Sequence, residues 1–138
     1  IIQLSIYLRN SFDFKKLDSL VTIQKELELL KAYLNIEKTR FGARLKIEYD
    51  IDESLNILIP PLIVQPLVEN AVHHGVMSNL QGGMVKVTIK KRSSLVSFCV
   101  EDNGKGIGRG KLQELLDSNI ENKGVGIWNI NRRLRLQY

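Results

Sequence analysis

The 138-residue sequence has little cysteine, little proline and no long apolar run. Its single cysteine, Cys99, cannot form an internal disulfide, which argues against a small secreted scaffold and favours a reducing compartment. No apolar run approaches the ~20 residues of a membrane helix, because Pro60 and Pro61 interrupt the best one, residues 57–64. We also find no signal peptide.

The composition that remains is globular and mildly basic. Hydrophobic residues make up 43% and charged residues 25%, which excludes a disordered or fibrous chain. Lys and Arg number 20 against 15 Asp and Glu, and the resulting net charge of +5 suits an anionic ligand, whether nucleotide, nucleic acid or acidic membrane. The length predicts one domain with a short attachment. Because the first residue is Ile1 and not Met, we expect a longer parent protein.

Helical periodicity dominates residues 1–44, with an interruption near residues 11–14. From Thr22, the expected N-cap, apolar residues recur with helical spacing at Ile23, Leu27, Leu30 and Leu34. We place the charged residues on the opposite, solvent-facing side: Glu26, Glu28, Lys31, Glu37 and Lys38. The apolar stripe fits core packing and a helical dimer interface equally well. Gly42 is predicted to end the helix.

Strand patterns follow in the middle of the chain. Residues 45–51 alternate apolar and polar side chains, and residues 85–90 and 96–101 predict an antiparallel hairpin. Cys99 lies in the second strand of that hairpin, and we expect it to be buried.

Helices are predicted around these strands. Pro60-Pro61 is predicted to open a helix that runs to Gly75, and shorter helices are predicted over residues 111–116 and 127–137. The segregation of strands and helices predicts an α+β fold, a sheet with helices on one face.

The densest polar cluster on a predicted helix comprises Glu69, Asn70, His73 and His74. Glu69 and His73 are one turn apart, as are Asn70 and His74, so both pairs share one face. The amide oxygen of Asn70 is a hard ligand that suits Mg²⁺, and an imidazole can contact a phosphate, a sugar or a base. A zinc site at Glu69, His73 and His74 is the weaker alternative, because no second Cys/His cluster completes its coordination. The remaining alternative is a solvated helix end.

Two glycine-bearing turns are further candidates. Asp102 ends a strand and precedes Gly104 and Gly106, so its carboxylate can accept from an exocyclic amine while a flat ring lies against bare backbone. An ordinary Asx-Gly turn is the alternative. Gly124 and Gly126 open a helix, whose free N–H groups and dipole favour an anion. The lysine and hydroxyl of a P-loop are missing there.

In this order, the clusters resemble the histidine kinase/gyrase/chaperone ATPase superfamily, with its Bergerat nucleotide-binding fold. More narrowly, the chain is similar to the LytS/YesM-like branch of bacterial sensor histidine kinases, over nearly its whole length. The segments that carry the similarity are residues 33–41 (YLNIEKTRF), 59–62 (IPPL), 65–71 (QPLVENA), 102–107 (DNGKGI) and 124–130 (GVGIWNI).

The resemblance implies an α/β sandwich, a mixed sheet with helices on one face, over residues 45–138. It implies that Asn70 coordinates a Mg²⁺ ion bridging the ATP phosphates and that Asp102 accepts from the adenine amino group. Glu69 matches a carboxylate that polarises water in some members. The other implied nucleotide contacts are His73, His74, Gly104, Lys105, Gly106, Ile107, Lys123, Gly124, Val125 and Gly126. Residues 108–123 would form a lid, and Lys111 and Arg133 are further candidate cations.

For the parent protein, the resemblance implies transfer of the ATP γ-phosphoryl group to a histidine and then to an aspartate of a response regulator. Residues 1–44 would be the end of a dimerisation region that forms a homodimer through its helices. The phosphoacceptor histidine is expected before Ile1 and the closing strands after Tyr138, so this piece alone should bind nucleotide without phosphorylating itself. The domain would be cytoplasmic, in a parent protein of the bacterial membrane.

Three alternatives remain at this point. Another ATPase of the superfamily is disfavoured by residues 33–41 and by Pro60-Pro61. A nucleotide-independent interaction module is favoured by His73, which stands where these kinases commonly have lysine. A basic nucleic-acid binder is the third alternative, and a nucleic-acid partner is not expected because the arginines of residues 132–135 have no stacking aromatics nearby.

Overall fold

A computed structural model of the chain describes residues 19–116. The helices and strands in this range are β1 (Val21–Thr22), α1 (Ile23–Phe41), a short 3₁₀-helix (Gly42–Arg44), β2 (Leu45–Ile51), β3 (Leu58–Ile59), α2 (Val64–Gly75), β4 (Gly83–Arg92), β5 (Leu95–Asp102) and α3 (Arg109–Leu116). The predicted helical segment before residue 19 and the closing helix at 127–137 lie outside the described residues. Among the helices that are described, none has the length and apolar character needed to cross a membrane.

The ends of α1 follow the predicted signals. The Thr22 hydroxyl accepts a hydrogen bond from the Lys25 amide at 3.3 Å, as an N-cap does. Gly42 ends the helix with a φ of 57°, a conformation that favours glycine. The apolar stripe of this helix, which includes Leu30 and Leu34, is buried.

Two charged residues of α1 contradict the predicted solvent face. Glu26 and Glu37 are only 1% and 2% exposed. Each is three residues from a core position, Ile23 and Leu34 respectively, and therefore lies on the packed side of the helix. Their assignment to the solvent face was wrong.

The main sheet is mixed, with strand order β2-β4-β5. Strand β2 pairs parallel with β4, from Leu45 opposite Gly83 to Ile51 opposite Ile89, and β5 pairs antiparallel with β4. Between β2 and β4 the chain crosses over through β3 and α2, and β1 pairs with β3 in a separate two-stranded sheet. The described residues thus confirm the predicted α+β fold with a mixed sheet.

The core lies between the helices and one face of this sheet. Val85, Val87 and Ile89 of β4 are fully buried and belong to one cluster with Leu30 of α1 and Val68 of α2. The intervening residues of β4 are less buried, as expected from the twofold alternation of a strand.

Strand β5 corrects a second expectation. Phe98 and Val100 pack against the core cluster, so Cys99 between them points to the opposite face and is exposed. The hairpin turn before this strand lacks glycine, and Ser93 supplies the positive φ of 53°.

Helix α2 begins later than predicted. Pro60 and Pro61 precede the helix, and Leu62 has a φ of 56°, which is incompatible with an α-helix. The first helical residue is therefore Val64, and the helix ends at Gly75 as predicted.

Candidate functional site

The end of α2 lies directly against the end of β5. Asp102 pairs with Val85 and therefore shares the inner face of the sheet with the core strands. A Cβ atom added to Gly75 would lie 3.1 Å from the Cβ of Asp102. The structure thus brings the strand-end carboxylate to the last turn of the helix that carries Glu69, Asn70 and the two histidines.

Three glycines allow this approach. A Cβ on Gly104 would lie 2.5 Å from the carbonyl oxygen of His74 and 2.8 Å from the Cα of Gly75. A Cβ on Gly83, at the start of β4, would lie 2.5 Å from the carbonyl oxygen of Gly75. These separations are too short for real carbon atoms, so only glycine fits. The sequence singled out Gly104, whereas the packing roles of Gly75 and Gly83 were missed.

Two side-chain hydrogen bonds hold the turn after Asp102. One carboxylate oxygen of Asp102, Oδ1, accepts from the Gly104 amide at 2.8 Å, and Asn103 Oδ1 accepts from the Met84 amide at 2.8 Å. Gly106 has a φ of 72° and open space around it. The neighbouring Lys105 and Ile107 are exposed, so this turn offers apolar, cationic and carboxylate groups to a ligand.

On α2, the predicted site residues lie within the last two turns. Glu69 and Asn70 are partly exposed, while His73 and His74 are exposed, with their rings nearly perpendicular at a centroid distance of 5.2 Å. Gln65 donates to Glu69 Oε1 at 3.2 Å. Within residues 19–116 no three His, Cys, Asp or Glu side chains lie together as metal ligands, so the structure gives no support to a zinc site at Glu69, His73 and His74.

Residues 60–137 match the sequence model of the family described as histidine kinase-, DNA gyrase B-, and HSP90-like ATPase. The chain belongs to this ATPase family. Residues 1–45 match the histidine kinase model.

Several curated relatives are named as bacterial sensor histidine kinases. The chain is 37% identical over 138 residues to the sensor histidine kinase YpdA of Escherichia coli, covering all of the chain and 24% of that protein. It is 37% identical over 136 residues to the sensor histidine kinase YesM of Bacillus subtilis, a match that covers 98% of the chain and 22% of that protein. It is 33% identical over 140 residues to the sensor histidine kinase/phosphatase LytS of Staphylococcus aureus, covering 98% and 24%. The chain thus spans about a quarter of the length of these relatives.

The fold of the chain is that of solved histidine kinase catalytic domains. The catalytic domain of histidine kinase ThkA, in a nucleotide-free form, matches with a TM-score of 0.61 and 13% identity over 84% of this chain and 78% of that one. The relatives YesM and LytS confirm the predicted LytS/YesM-like branch, and the match to ThkA confirms the predicted fold. The chain thus shares its ATPase-family domain with these sensor histidine kinases.

Part of the nucleotide site expected for this ATPase family lies outside the described residues. This applies to Lys123, Gly124, Val125, Gly126 and Arg133, and to residues 117–123 of the predicted lid. Lys111 lies on α3 and is exposed. The convergence of Asn70, Asp102 and Gly126 on one nucleotide stays a prediction.

The structure adds an acidic corner between α1 and α2 that the sequence did not indicate. The pKa of the Glu37 carboxyl is raised, chiefly because the group is buried. The carboxylate of Glu69 raises this pKa further, and the Arg40 guanidinium, 3.9 Å away, offsets part of the increase. Beside Glu69, Gln65 is 2% exposed, and its Oε1 has no hydrogen-bond partner among the described residues. A buried charged residue gives no hydrophobic signal in a sequence, which explains why this corner was missed.

The substitution Glu37→Gln is expected to increase the stability of the chain more at pH 7 than at pH 4. A carboxyl whose pKa is raised by folding binds protons more tightly in the folded state, so its stability contribution falls as the pH rises above the ordinary value of 4.5. The neutral amide of glutamine does not ionise and so removes that loss of stability at pH 7. Thermal unfolding of the variant and of the unaltered chain at both pH values measures the gain, with exposed Glu28→Gln as the control on the same helix. A gain that is equal at both pH values, or larger at pH 4, would contradict the raised pKa.

Proposed function

We propose that residues 45–138 bind Mg-ATP as the catalytic domain of a two-component sensor histidine kinase, preceded in residues 1–44 by the end of its dimerisation region. The parent protein would transfer the γ-phosphoryl group to a histidine outside this piece and then to an aspartate of a response regulator. It would act as a homodimer through the N-terminal helices, with this domain in the cytoplasm and the parent protein in the membrane. The contact between the end of α2 and the turn after Asp102 carries the proposal.

Each group at the contact between α2 and the turn after Asp102 has a proposed role in nucleotide binding. The exposed Asp102 carboxylate accepts from the adenine amino group, while Gly104, Gly106 and Ile107 border the base. His73, His74 and Lys105 would contact the sugar and phosphates, as the family resemblance also implies for residues 123–126. Glu69, beside Asn70 on α2, is the candidate carboxylate for orienting the attacking group.

The donor set on α2 fits Mg²⁺. Asn70 offers a partly exposed amide oxygen, and the described residues form no cage of carboxylates or imidazoles. Mg²⁺ binds through few protein groups and relies on phosphates and water, so a single amide beside a bound triphosphate matches its preference. When bound, the ion neutralises phosphate charge. The protein itself contributes binding and orientation, the main requirements of phosphoryl transfer.

Calorimetric titration of the chain with ADP and a non-hydrolysable ATP analogue, each with Mg²⁺ and with EDTA, tests the proposal. We expect saturable binding that Mg²⁺ strengthens. No heat at high nucleotide concentration would contradict nucleotide binding and favour an interaction module.

Asn70→Ala is expected to abolish the Mg²⁺ dependence of that binding. The alanine variant retains Asp102 and the turn after it, and so keeps its affinity for nucleotide in the absence of metal, but it loses the oxygen ligand of the ion. The same titration measures this, with Asn35→Ala as the control because Asn35 is exposed on α1. A Mg²⁺ effect that persists in Asn70→Ala would exclude Asn70 as a ligand.

A further inference from the structure

Glu26 of α1 caps the start of α2 from outside that helix. Its Oε2 accepts from the Leu62 amide at 2.9 Å and its Oε1 from the Val64 amide at 3.0 Å. The N-cap residue of α2, Ile63, makes no side-chain cap hydrogen bond, and the first turn of the helix contains no acidic residue. A carboxylate at a helix N-terminus satisfies free N–H groups and complements the helix dipole. Glu26 therefore supplies to α2 what its own sequence lacks.

The two hydrogen bonds also fix an unfavourable backbone conformation. Leu62 has a φ of 56°, which a side chain larger than glycine adopts at an energetic cost. Glu26 is 1% exposed and holds the amides on both sides of Ile63. The direction in which α2 leaves the turn is thus set by a residue of α1.

Further contacts attach α1 to the same segment. The Ile23 amide donates to the Ile57 carbonyl oxygen at 3.0 Å, and Gln24 Nε2 donates to the Leu55 carbonyl oxygen at 2.5 Å. A displacement of the first turns of α1 therefore displaces the start of α2. Since α2 is one continuous helix, Asn70 follows, about 9 Å further along the axis.

This connection joins the two matched families. Glu26 lies within residues 1–45, which match the histidine kinase model, and Leu62 and Val64 lie within residues 60–137, which match the ATPase model. We propose that Glu26 is a positioning residue that couples the placement of α1 to that of Asn70, and hence to the binding of the Mg²⁺-loaded nucleotide. The proposal rests on the proposed function.

The variant Glu26→Gln tests the coupling. Glutamine keeps the shape of the side chain but retains one acceptor oxygen for two N–H groups. We expect the Mg²⁺ enhancement of ADP affinity, which is the ratio of the affinities measured with Mg²⁺ and with EDTA, to fall by roughly 2- to 30-fold. A purely structural role would lower both affinities together or neither. The control is Glu28→Gln, which changes an exposed residue of the same helix and should leave both values unchanged.

A second measurement uses the unaltered chain and so does not depend on the variant folding. Coupling is reciprocal, so Mg-ADP should slow amide hydrogen exchange at Leu62 and Val64 more than ADP with EDTA does. Exchange at the far end of the β4–β5 hairpin, where Arg92 pairs with Leu95, should not change.

The outcomes separate the two proposals. An unaltered chain that binds no nucleotide overturns both. If that chain binds Mg-ADP, the coupling is overturned by a folded Glu26→Gln variant with the full Mg²⁺ enhancement. If the variant does not fold, unchanged exchange at Leu62 and Val64 overturns it.

Discussion

Replacing Asp102 with alanine is expected to weaken nucleotide binding by about 1–3 kcal/mol, or roughly 5- to 150-fold in affinity. The carboxylate lies at the end of β5, exposed and in contact with the last turn of α2. Its removal leaves the adenine amino group without the acceptor that we propose for it. Titration with Mg-ADP measures the loss.

The alanine variant alone does not separate binding from folding, because Asp102 Oδ1 also accepts from the Gly104 amide. Asp102→Asn makes this separation. The asparagine oxygen can still accept from Gly104, whereas its NH₂ group presents a donor to the adenine amino group, which is itself a donor. We therefore expect Asp102→Asn to lose affinity as alanine does while keeping a melting temperature closer to that of the unaltered chain.

Glu101→Ala is the matched control. Glu101 is exposed at the same strand end, but its side chain points to the other face of the sheet, opposite Lys86. Its removal should leave the affinity unchanged. Equal losses in the Asp102 and Glu101 variants would point to a general charge effect, and unchanged affinity in both Asp102 variants would remove this residue from the site.

The parts of the fold that local signals determine could be predicted from the sequence. The N-cap at Thr22, the helix stop at Gly42 and the two alternating strands of the hairpin depend on a few neighbouring residues, and the structure has them in place. The family resemblance added the mixed sheet, which alternation alone does not specify, since parallel pairing of β2 with β4 joins residues far apart in the chain.

The parts that could not be predicted depend on contacts between distant segments. Glu26 and Glu37 are charged, and charge indicates solvent unless the partner is known; for Glu26 the partner is the backbone of Leu62 and Val64, 36 and 38 residues away. The helix start was wrong for a related reason. Proline is favoured in a first turn, but here the positive φ of Leu62 delays the helix.

Cys99 is a different case, because the local information was sufficient. Its neighbours Phe98 and Val100 alternate with polar residues, and in a strand this alone places the cysteine on the outer face. The general tendency of cysteine to be buried was given too much weight against the strand pattern.

Gly104→Ala is expected to cost about 1–3 kcal/mol of stability and to disrupt nucleotide binding as well. The added carbon would lie 2.5 Å from the His74 carbonyl oxygen and 2.8 Å from both the Gly75 Cα and Asp102 Oδ1. Two of these are backbone atoms, so the end of α2 and the turn must separate. Because Asp102 lies at this contact, its carboxylate moves with the turn, and the distance from α2 to the base site increases.

Gly110→Ala provides the comparison for stability. Gly110 lies in α3, and a Cβ there meets nothing within 4 Å. Alanine is favoured over glycine inside a helix by roughly 0.5–1 kcal/mol, so this variant should melt at the same temperature or higher. Thermal unfolding of both variants and titration of Gly104→Ala with Mg-ADP measure the two effects. If Gly104→Ala keeps both its melting temperature and its affinity, the close approach of α2 to the Asp102 turn is not needed for nucleotide binding.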